Sequence, residues 1–341
     1  MTGKRMLGPI LVVMLATAAC DTGSTAPDGG GNASRNGEAQ GGQEINIGIF
    51  PVISPVPIMQ EQKMLEDAGY TVNWIQVEGG LPAAASALAA GQLDMVHANS
   101  SSGTIIFSNE PGAAWFVGRS FINLNETVVS EASGITDISE LADRRVVVSG
   151  LKTASTLFYE MGLAKEGLTP DRDQYFVAGT GPSMVDVLAS GGTEVAATYV
   201  PYSSEMVRRG LGRVMFTASD ALGRTEPGDG FIVSRPFAQD NPDAVEAVLK
   251  ALAAAMDAIR EDPAAHYESL AEFAGVAPET IERAFGGDIL PPDYVPDVDA
   301  LVEVATIAEE NGFAPEGVSN LADFARDFAN PTFAEEALSG D

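Results

Sequence analysis

The sequence predicts an α/β protein of two doubly wound lobes, with a cleft between them and a helical C-terminal tail. Apolar, strand-like segments alternate with helical segments in the order β-α-β-α-β, at a spacing typical of parallel sheets. A second unit of the same kind follows the first. Within the two units, a helix–glycine–strand arrangement at 81–98 recurs at 182–199, which favours two lobes of similar design.

The first unit begins after residue 43. Its predicted strands are 45–50, 71–77 and 93–98, and its predicted helices are 58–68 and 81–90. Alternating apolar residues mark the first strand, and Gly69 and Gly91 end the two helices. The loops that follow these strands should therefore meet at one edge of the sheet.

The second unit repeats this pattern and leads into the tail. Asp137 is predicted to cap a short helix, followed by strands at 145–148, 174–177 and 195–200 and helices at 153–166 and 182–189. Beyond 231–233 the pattern becomes mostly helical, with candidates at 242–260, 263–274, 278–285, 296–311 and 318–328. Four of these begin with proline, which is favoured at the first helical position. We expect the tail to pack on the lobes and to complete one of them.

The first 43 residues have the pattern of a targeting segment and a tether. Lys4 and Arg5 precede an apolar stretch and small residues, which is typical of a signal peptide over 1–19. Cys20, the only cysteine, stands where a bacterial lipoprotein signal is cut and lipidated; an ordinary signal peptide with an incidental cysteine is the alternative. Residues 20–43 are rich in Gly, Ser and Asn and predict a flexible tether. We expect a lipid-anchored protein outside the cytoplasm.

Composition excludes several functions. The 341 residues, 45% of them hydrophobic, suffice for about two domains. One cysteine and two histidines argue against a disulfide and against a transition-metal site, and we expect no metal and no cofactor. The net charge of −29, which becomes −31 once Lys4 and Arg5 are removed, argues against nucleic-acid binding. The acidity is consistent with a saline habitat or with compositional drift.

Candidate binding residues cluster in the predicted loops. In open parallel sheets, ligands bind outside the carboxyl ends of the strands. The candidates there are Phe50, Ser54, His97, Asn99, Ser100, Ser101, Ser102, Lys152, Thr153, Ser155, Thr156, Tyr199 and Tyr202. The hydroxyl-rich loops 100–102 and 152–156 enter helices, and helix N-termini attract anions. A small anion gripped from both lobes is therefore the expectation.

Each candidate also has a plainer interpretation. The serines would cap a helix in any case, and the chain has no G-x-S-x-G motif to suggest a catalytic serine. His97 either lines the cleft or is a buried structural residue. Lys152 contacts the ligand or lies on the surface. Tyr199 and Tyr202 form cleft walls or ordinary packing.

Four stretches carry a family resemblance: "ALAAGQLDMVHANSSSG", "ISELADRRVVVSGLKTASTLFYEMGLAKEGL", "VDVLASGGTEVAATYVPYSSEM" and "DGFIVSRPFAQDNPDAVEAVLKAL". With them, about 45–290 resembles the periplasmic solute-binding proteins of ABC importers, in the branch that takes sulfonates, nitrate and thiamine pyrimidines. Within this branch the sequence looks most like taurine-binding proteins. One departure is Tyr199-Val200-Pro201-Tyr202, where many members have Trp before the proline.

The resemblance implies a type II periplasmic binding protein, with lobe 1 at 44–128 plus 229–341 and lobe 2 at 129–228. It implies an ABC permease and ATPase as partners, and we expect a monomer. It also implies that the two hydroxyl-rich loops grip an anionic head and that Asp229, in "EPGDGFIV", meets an ammonium group. The alternative for Asp229 is a solvated surface carboxylate. A cleft carboxylate would require a zwitterionic ligand, because it repels a simple anion.

The leading hypothesis is a non-catalytic lipoprotein that captures taurine or a close analogue for import. A pyrimidine, nitrate or another amino acid-like solute is the alternative within the same class. A thiamine-pyrimidine synthase shares the fold but needs a cysteine-rich stretch, and the one cysteine here is assigned to the lipid. A sensor that presents its ligand to a receptor is the third hypothesis.

Overall fold

A computed structural model describes residues 42–339 of the chain. The predicted signal peptide, Cys20 and the tether up to residue 41 lie outside the described residues. None of the helices between residues 42 and 339 is both long enough and apolar enough to cross a membrane.

The described chain alternates strands and helices and ends in a helical region. The strands are β1 (Glu44–Ile49), β2 (Thr71–Gln76), β3 (Met95–Asn99), β4 (Ala114–Arg119), β5 (Asn125–Ser130), β6 (Val146–Val148), β7 (Phe176–Ala178), β8 (Val195–Tyr199), β9 (Gly212–Thr217) and β10 (Asp229–Ser234). The helices of the two lobes are α1 (Val56–Glu61), α2 (Met64–Asp67), α3 (Gly80–Ala89), α4 (Ser100–Phe107), α5 (Ala154–Lys165), α6 (Arg172–Tyr175), α7 (Pro182–Ala189), α8 (Tyr202–Arg208) and α9 (Ala218–Leu222). The C-terminal helices are α10 (Arg235–Asp240), α11 (Pro242–Glu261), α12 (Tyr267–Ala274), α13 (Pro278–Ala284), α14 (Val298–Glu310), α15 (Leu321–Phe328) and α16 (Thr332–Leu338). Short 3₁₀ helices lie at Glu131–Ser133, Ile138–Glu140 and Pro263–His266, the second of them capped by Asp137 as predicted.

Two five-stranded sheets form the frame, with the orders β2-β1-β3-β10-β4 and β7-β6-β8-β5-β9. The predicted two-lobed α/β fold with a helical tail is confirmed. In each sheet the first three strands are parallel, as expected. Each sheet also contains an antiparallel strand that the parallel pattern did not predict, because β10 runs antiparallel to β3 and β4, and β5 runs antiparallel to β8 and β9.

The chain crosses between the sheets twice. The first crossing lies between Arg119 and Asn125, and the second between Thr217 and Asp229. The lobe boundary expected after residue 128 therefore falls inside β5, whereas the boundary expected at 229 coincides with the first residue of β10. Each crossing delivers a strand that fills the same position, fourth in the order, of the sheet it enters.

The helix–glycine–strand arrangement that recurs in the sequence at 81–98 and 182–199 also recurs in the structure. Helix α3 leads into β3, and α7 leads into β8, with each strand at the centre of its sheet. Gly91 and Gly191 end the two helices in the left-handed region, at φ values of 67° and 70°, which favours glycine. The two helix–strand units therefore place equivalent strand ends, Asn99 and Tyr199, toward one cleft.

The C-terminal helices complete the first lobe. Val245, Val248 and Leu252 of α11 are fully buried in the core formed with β1 and β10. On the other face, Phe328 of α15 stacks on Phe107 of α4 at a ring-centroid distance of 5.9 Å. These contacts fix α4, the helix that follows the serine loop, against the tail.

The close approach of β10 to β4 requires glycine at position 230. A Cβ placed there would lie 1.8 Å from the carbonyl oxygen of Gly118, a backbone atom that has no rotamer by which to move away. We expect Gly230→Ala to lower the free energy of unfolding by about 1–3 kcal/mol, because the strands must separate. Urea denaturation measures this change. Gly287→Ala, where the nearest atom is 3.4 Å from the added Cβ, is the matched control, and an equal effect at both positions would contradict the prediction.

Candidate functional site

A cleft of about 830 Å³ lies between the lobes, at the carboxyl ends of the central strands. Ten of the fourteen candidate residues line it, namely Phe50, His97, Asn99, Ser102, Lys152, Thr153, Ser155, Tyr199, Tyr202 and Asp229. The position of these residues agrees with the sequence analysis. Their contact with a ligand stays a prediction.

Four candidates lie outside the cleft lining, because other groups engage or enclose them. The hydroxyl of Ser100 donates to the carbonyl of Gly228 at 2.7 Å, and that of Thr156 donates to the carbonyl of Gly150 at 2.6 Å. Ser54 and Ser101 complete this set. Ser54 is buried beside His97, and the fully buried Ser101 hydroxyl has no hydrogen-bond partner among the described residues.

The serine loop caps its helix through a neighbour. Asn99 Oδ1 accepts a hydrogen bond from the Ser102 amide at 3.0 Å and is the N-cap of α4. Ser102 Oγ then accepts from the backbone N–H of Ala154, the first residue of α5, at 3.0 Å. This bond joins the two helix N-termini across the cleft. Of the three loop serines, Ser102 is the one that lies in the described cleft wall.

A cluster of hydroxyls stands at the N-terminus of α5. Ser149 Oγ lies 2.9 Å from Thr153 Oγ1 and 2.7 Å from Ser155 Oγ, and all three residues line the cleft. Thr153 Oγ1 also donates to the carbonyl of Gly150 at 3.0 Å, instead of capping its own helix. The cluster combines rotatable donors with the partial positive charge of a helix N-terminus, which suits an anion.

Two carboxyl groups lie on the opposite side of the cleft. Asp229 lines it with 6% of its surface exposed, and Glu226 lies behind it with none exposed. Asn99 Nδ2 donates to Asp229 Oδ1 at 3.0 Å, and Asn125 Nδ2 donates to Glu226 Oε1 at 2.5 Å. Within residues 42–339, neither carboxyl group forms a salt bridge. A positive charge on a ligand would supply the missing partner.

Burial without a cation changes the protonation of this pair. Burial raises the pKa of Asp229 to about 7, against a lowering contribution from the Asn99 hydrogen bond and a raising one from Glu226. Burial also raises the pKa of Glu226, although the amides of Asn125 and Asn99 favour its charged form. Asp229 thus exchanges its proton near neutral pH.

Aromatic rings form the wall next to Asp229. Tyr199 and Tyr202 meet edge to face at a centroid distance of 5.4 Å, and Phe50 faces the same cleft. The hydroxyl of Tyr202 donates to the carbonyl of Pro51 at 2.5 Å, so this ring also connects the lobes. Burial raises the pKa of Tyr199 to about 12, which keeps its hydroxyl neutral.

His97 combines both of its expected roles. Its Nε2 lies 2.9 Å from Ser120 Oγ, its Nδ1 lies 3.4 Å from Ser54 Oγ, and its ring packs edge-on against Phe231 at 5.2 Å. Burial lowers its pKa to about 3. The imidazole is therefore a neutral, packed part of the cleft wall that carries no charge for an anion near neutral pH.

Lys152 reaches across the cleft to the tail. Its Nζ donates to the carbonyl of Ala314 at 2.9 Å, in the loop after α14. Arg172 donates to the carbonyl of Asn311 at 3.2 Å and lies over the Phe313 ring at 4.8 Å. Two cationic side chains of lobe 2 therefore hold one loop of lobe 1. The amine of Lys152 serves this contact between the lobes.

Sequence reasoning missed three polar residues of the site. Ser149 opens a loop that had been singled out, and Glu226 precedes Asp229 by three positions in the same acidic stretch, so both carried a local signal. Asn125 begins the unpredicted strand β5 and carried none. Among residues 42–339, no group of three or more His, Cys, Asp or Glu side chains is arranged to hold a metal ion.

The fold is that of the periplasmic binding proteins. Three solved structures illustrate the likeness. The alkanesulfonate-binding protein SsuA of Xanthomonas axonopodis pv. citri, bound to MOPS, matches with a TM-score of 0.71 and 21% identity, over 83% of this chain and 97% of that chain. The periplasmic aliphatic sulphonate-binding protein SsuA of Escherichia coli gives a TM-score of 0.70 and 18% identity, over 85% and 92%. The periplasmic nitrate-binding protein NrtA of Synechocystis PCC 6803 gives 0.72 and 15%, over 87% and 89%.

The sequence matches the NMT1-like family over residues 38–274, and the chain belongs to that family. A comparison with curated proteins yields no significant match. The expected resemblance to the sulfonate and nitrate branch is confirmed, since its sulfonate-binding and nitrate-binding members share the fold. The closer likeness to taurine-binding proteins stays a prediction.

The buried carboxyl of Asp229 predicts a pH-dependent stability difference. Its pKa rises from 3.8 to about 7 on folding, so its contribution to stability is complete below pH 3.8 and is lost as the pH rises toward 7. We expect Asp229→Asn to match the wild type at about pH 4 and to be more stable by about 1–4 kcal/mol at about pH 8. Urea denaturation across this range measures the difference. The exposed Asp240→Asn is the control, and a pH-independent difference for Asp229→Asn would refute the assignment.

Proposed function

We propose that this protein is the solute-binding component of an ABC importer and that it captures a small amino sulfonate between its lobes. Taurine, or a close analogue of it, is the leading candidate within this class. The observation that carries it is the pairing of two buried carboxyl groups without a cation, on one side of the cleft, with a hydroxyl-rich helix N-terminus on the other. The protein binds and releases its ligand without transforming it.

The carboxyl side accounts for the ammonium group. A buried carboxylate is costly unless a positive charge or several hydrogen bonds accompany it, and Asp229 receives one hydrogen bond, from Asn99. A ligand ammonium group would complete its coordination. The same carboxylate would repel nitrate or a simple sulfonate, so these anions are weaker candidates.

The helix side accounts for the sulfonate. Three hydroxyls and the first turn of α5 surround one region of the cleft wall. A sulfonate has three equivalent oxygens, which suit the neutral donors of this region, namely the rotatable hydroxyls of Ser149 and Ser155 and the amides of the first turn, better than they suit a single charged fork. The chain places no arginine in the described lining of the cleft. Neutral donors of this kind support reversible binding, as a transport protein requires.

The size of the cleft sets an upper bound on the ligand. Its volume of about 830 Å³ lies within the range of about 300–1,000 Å³ that is common for sites of drug-sized ligands. Taurine would leave much of this space to water. Amino sulfonates with larger substituents on nitrogen are therefore included in the proposal, and the neighbour bound to MOPS supports their inclusion.

Family and fold support the importer role. The chain belongs to the NMT1-like family and shares its fold with binding proteins for sulfonates and nitrate. A function outside the cytoplasm, anchored through lipidated Cys20 and partnered by a permease and an ATPase, follows as part of the proposal. The aromatic wall of Phe50, Tyr199 and Tyr202 leaves a pyrimidine as the second candidate, since flat rings pack well against such walls.

Ligand-induced stabilisation tests the proposal. We expect taurine and MOPS to raise the melting temperature of residues 42–341, because a ligand at 100 times its Kd stabilises the native state by about 2.7 kcal/mol. Ethanesulfonate, which is taurine without its amine, is the matched control and should give a clearly smaller shift. Nitrate and a thiamine pyrimidine complete the panel. Equal shifts for taurine and ethanesulfonate, or a shift with the pyrimidine alone, would contradict the proposal.

The hydroxyl cluster predicts a second effect. Ser155→Ala removes one donor from the α5 N-terminus, and a hydrogen bond to a charged group contributes about 1.5–3 kcal/mol. We expect taurine affinity, measured by calorimetry, to fall by at least about tenfold. Ser190→Ala, at the exposed C-terminal end of α7, is the control and should leave affinity unchanged. Unchanged affinity in Ser155→Ala would remove the cluster from the site.

A further inference from the structure

Glu226 lies where the two crossing segments meet. Its Oε2 accepts from the backbone N–H of Asn125 at 3.0 Å, and its own N–H donates to Asn123 Oδ1 at 2.9 Å. Asn123 and Asn125 belong to the first crossing and the start of β5, whereas Glu226 belongs to the second crossing. One fully buried carboxyl group therefore ties both crossings together directly behind the cleft.

Asn99 connects this carboxyl group to the cleft. Its Nδ2 donates to Asp229 Oδ1 at 3.0 Å and lies 3.4 Å from Glu226 Oε1. Its Oδ1 is fixed by the Ser102 amide, so the amide cannot turn to offer anything but N–H groups to the acids. Glu226 and Asp229 thus share one side-chain donor in a buried site, and two carboxylates in such a site do not both ionise readily.

The surroundings supply no compensating charge. The other titratable groups on the elements packed around Asp229 are His97 of β3, Arg119 of β4, Glu126 of β5 and Tyr199 of β8. Arg119 is turned to Asp293, with which it forms an ion pair at 2.6 Å. His97 is neutral, and Tyr199 keeps its proton. Glu126 is itself acidic and adds no positive charge. Lys152 lines the same cleft, and its Nζ donates to the carbonyl of Ala314.

We propose that Glu226 is a positioning residue for ligand selection, and that the Glu226–Asp229 pair of the empty protein holds one proton which the ligand's ammonium group displaces. This inference rests on the proposed function and adds a chemical linkage to it. On binding, the carboxylic O–H bond breaks and its proton passes to the buffer. The ammonium group keeps all of its own protons. The carboxyl pair therefore loses its bound proton and gains the positive charge of the ligand beside it. A ligand without a positive charge cannot drive this exchange.

Calorimetry in buffers of different ionisation enthalpy tests the linkage, with taurine as the probe. Sulfonate buffers are avoided because they belong to the proposed ligand class. In phosphate and imidazole at about pH 6, we expect the apparent enthalpies to differ by the release of nearly one proton per taurine bound. In Tris and phosphate at about pH 8, where the pair has already lost most of its proton and the amine of taurine is still protonated, we expect almost no release. Binding with no proton release at either pH overturns the inference and leaves the proposed function standing; no binding at all overturns both.

Substitution of Glu226 separates positioning from packing. Glu226→Gln keeps the size of the side chain and removes its charge, so the midpoint of proton release should move down by roughly one pH unit. Glu126→Gln, which neutralises a half-buried carboxyl group one residue from Asn125, is the control and should leave the midpoint in place. An unchanged midpoint in Glu226→Gln overturns the positioning role. If this variant does not fold, the wild-type buffer comparison still decides the proton exchange.

Discussion

The rest of the structure depends on the two crossings of the chain between the sheets. The first crossing delivers β5 to the second sheet, and the second crossing returns β10 to the first sheet. β5 and β10 each enter a sheet between strands that lie far from them in the sequence, as in the pairing of Asn99 with Asp229. Both strands begin where a crossing ends, so their first residues, Asn125 and Asp229, both line the cleft between the lobes. The polar site and the connection between the lobes are therefore built from the same few residues.

The cleft must hold the anionic group of the proposed ligand although the chain as a whole is strongly negative. A protein with a net charge of −29 attracts cations, yet the proposed ligand carries an anionic group. The N-terminus of α5, whose own N-cap residue makes no side-chain cap, and its hydroxyls provide a local positive field, whereas the amine of Lys152 in the same lining is engaged by the carbonyl of Ala314. In the proposed function, the acid pair uses this negative field to select the ammonium end of a zwitterion.

Local patterns in the sequence predicted the elements whose partners are near in the chain. The parallel strands β1, β2 and β3, the paired glycines Gly91 and Gly191 and the loop that holds Thr153 all have local signals. The antiparallel strands β5 and β10 escaped prediction as sheet members, since their partners are distant in the sequence, as in the pairs Asn125–Tyr199 and Asp229–Asn99. The same reason hid Asn125. The side chain of Ser100 is buried against the returning chain, where its hydroxyl donates to the carbonyl of Gly228, and no local pattern reveals this contact.

The C-terminal tail also contacts lobe 2, which its helical pattern alone does not predict. Lys152 and Arg172 of lobe 2 both bind carbonyls directly after α14, where the negative end of the helix dipole favours cations. At the other end of the cleft, the Tyr202 hydroxyl binds the carbonyl of Pro51. These contacts hold the lobes together without engaging Asp229 or the α5 hydroxyls. These contacts between the lobes therefore leave Asp229 and the α5 hydroxyls available, so that the ligand of the proposed function would add to them instead of replacing them.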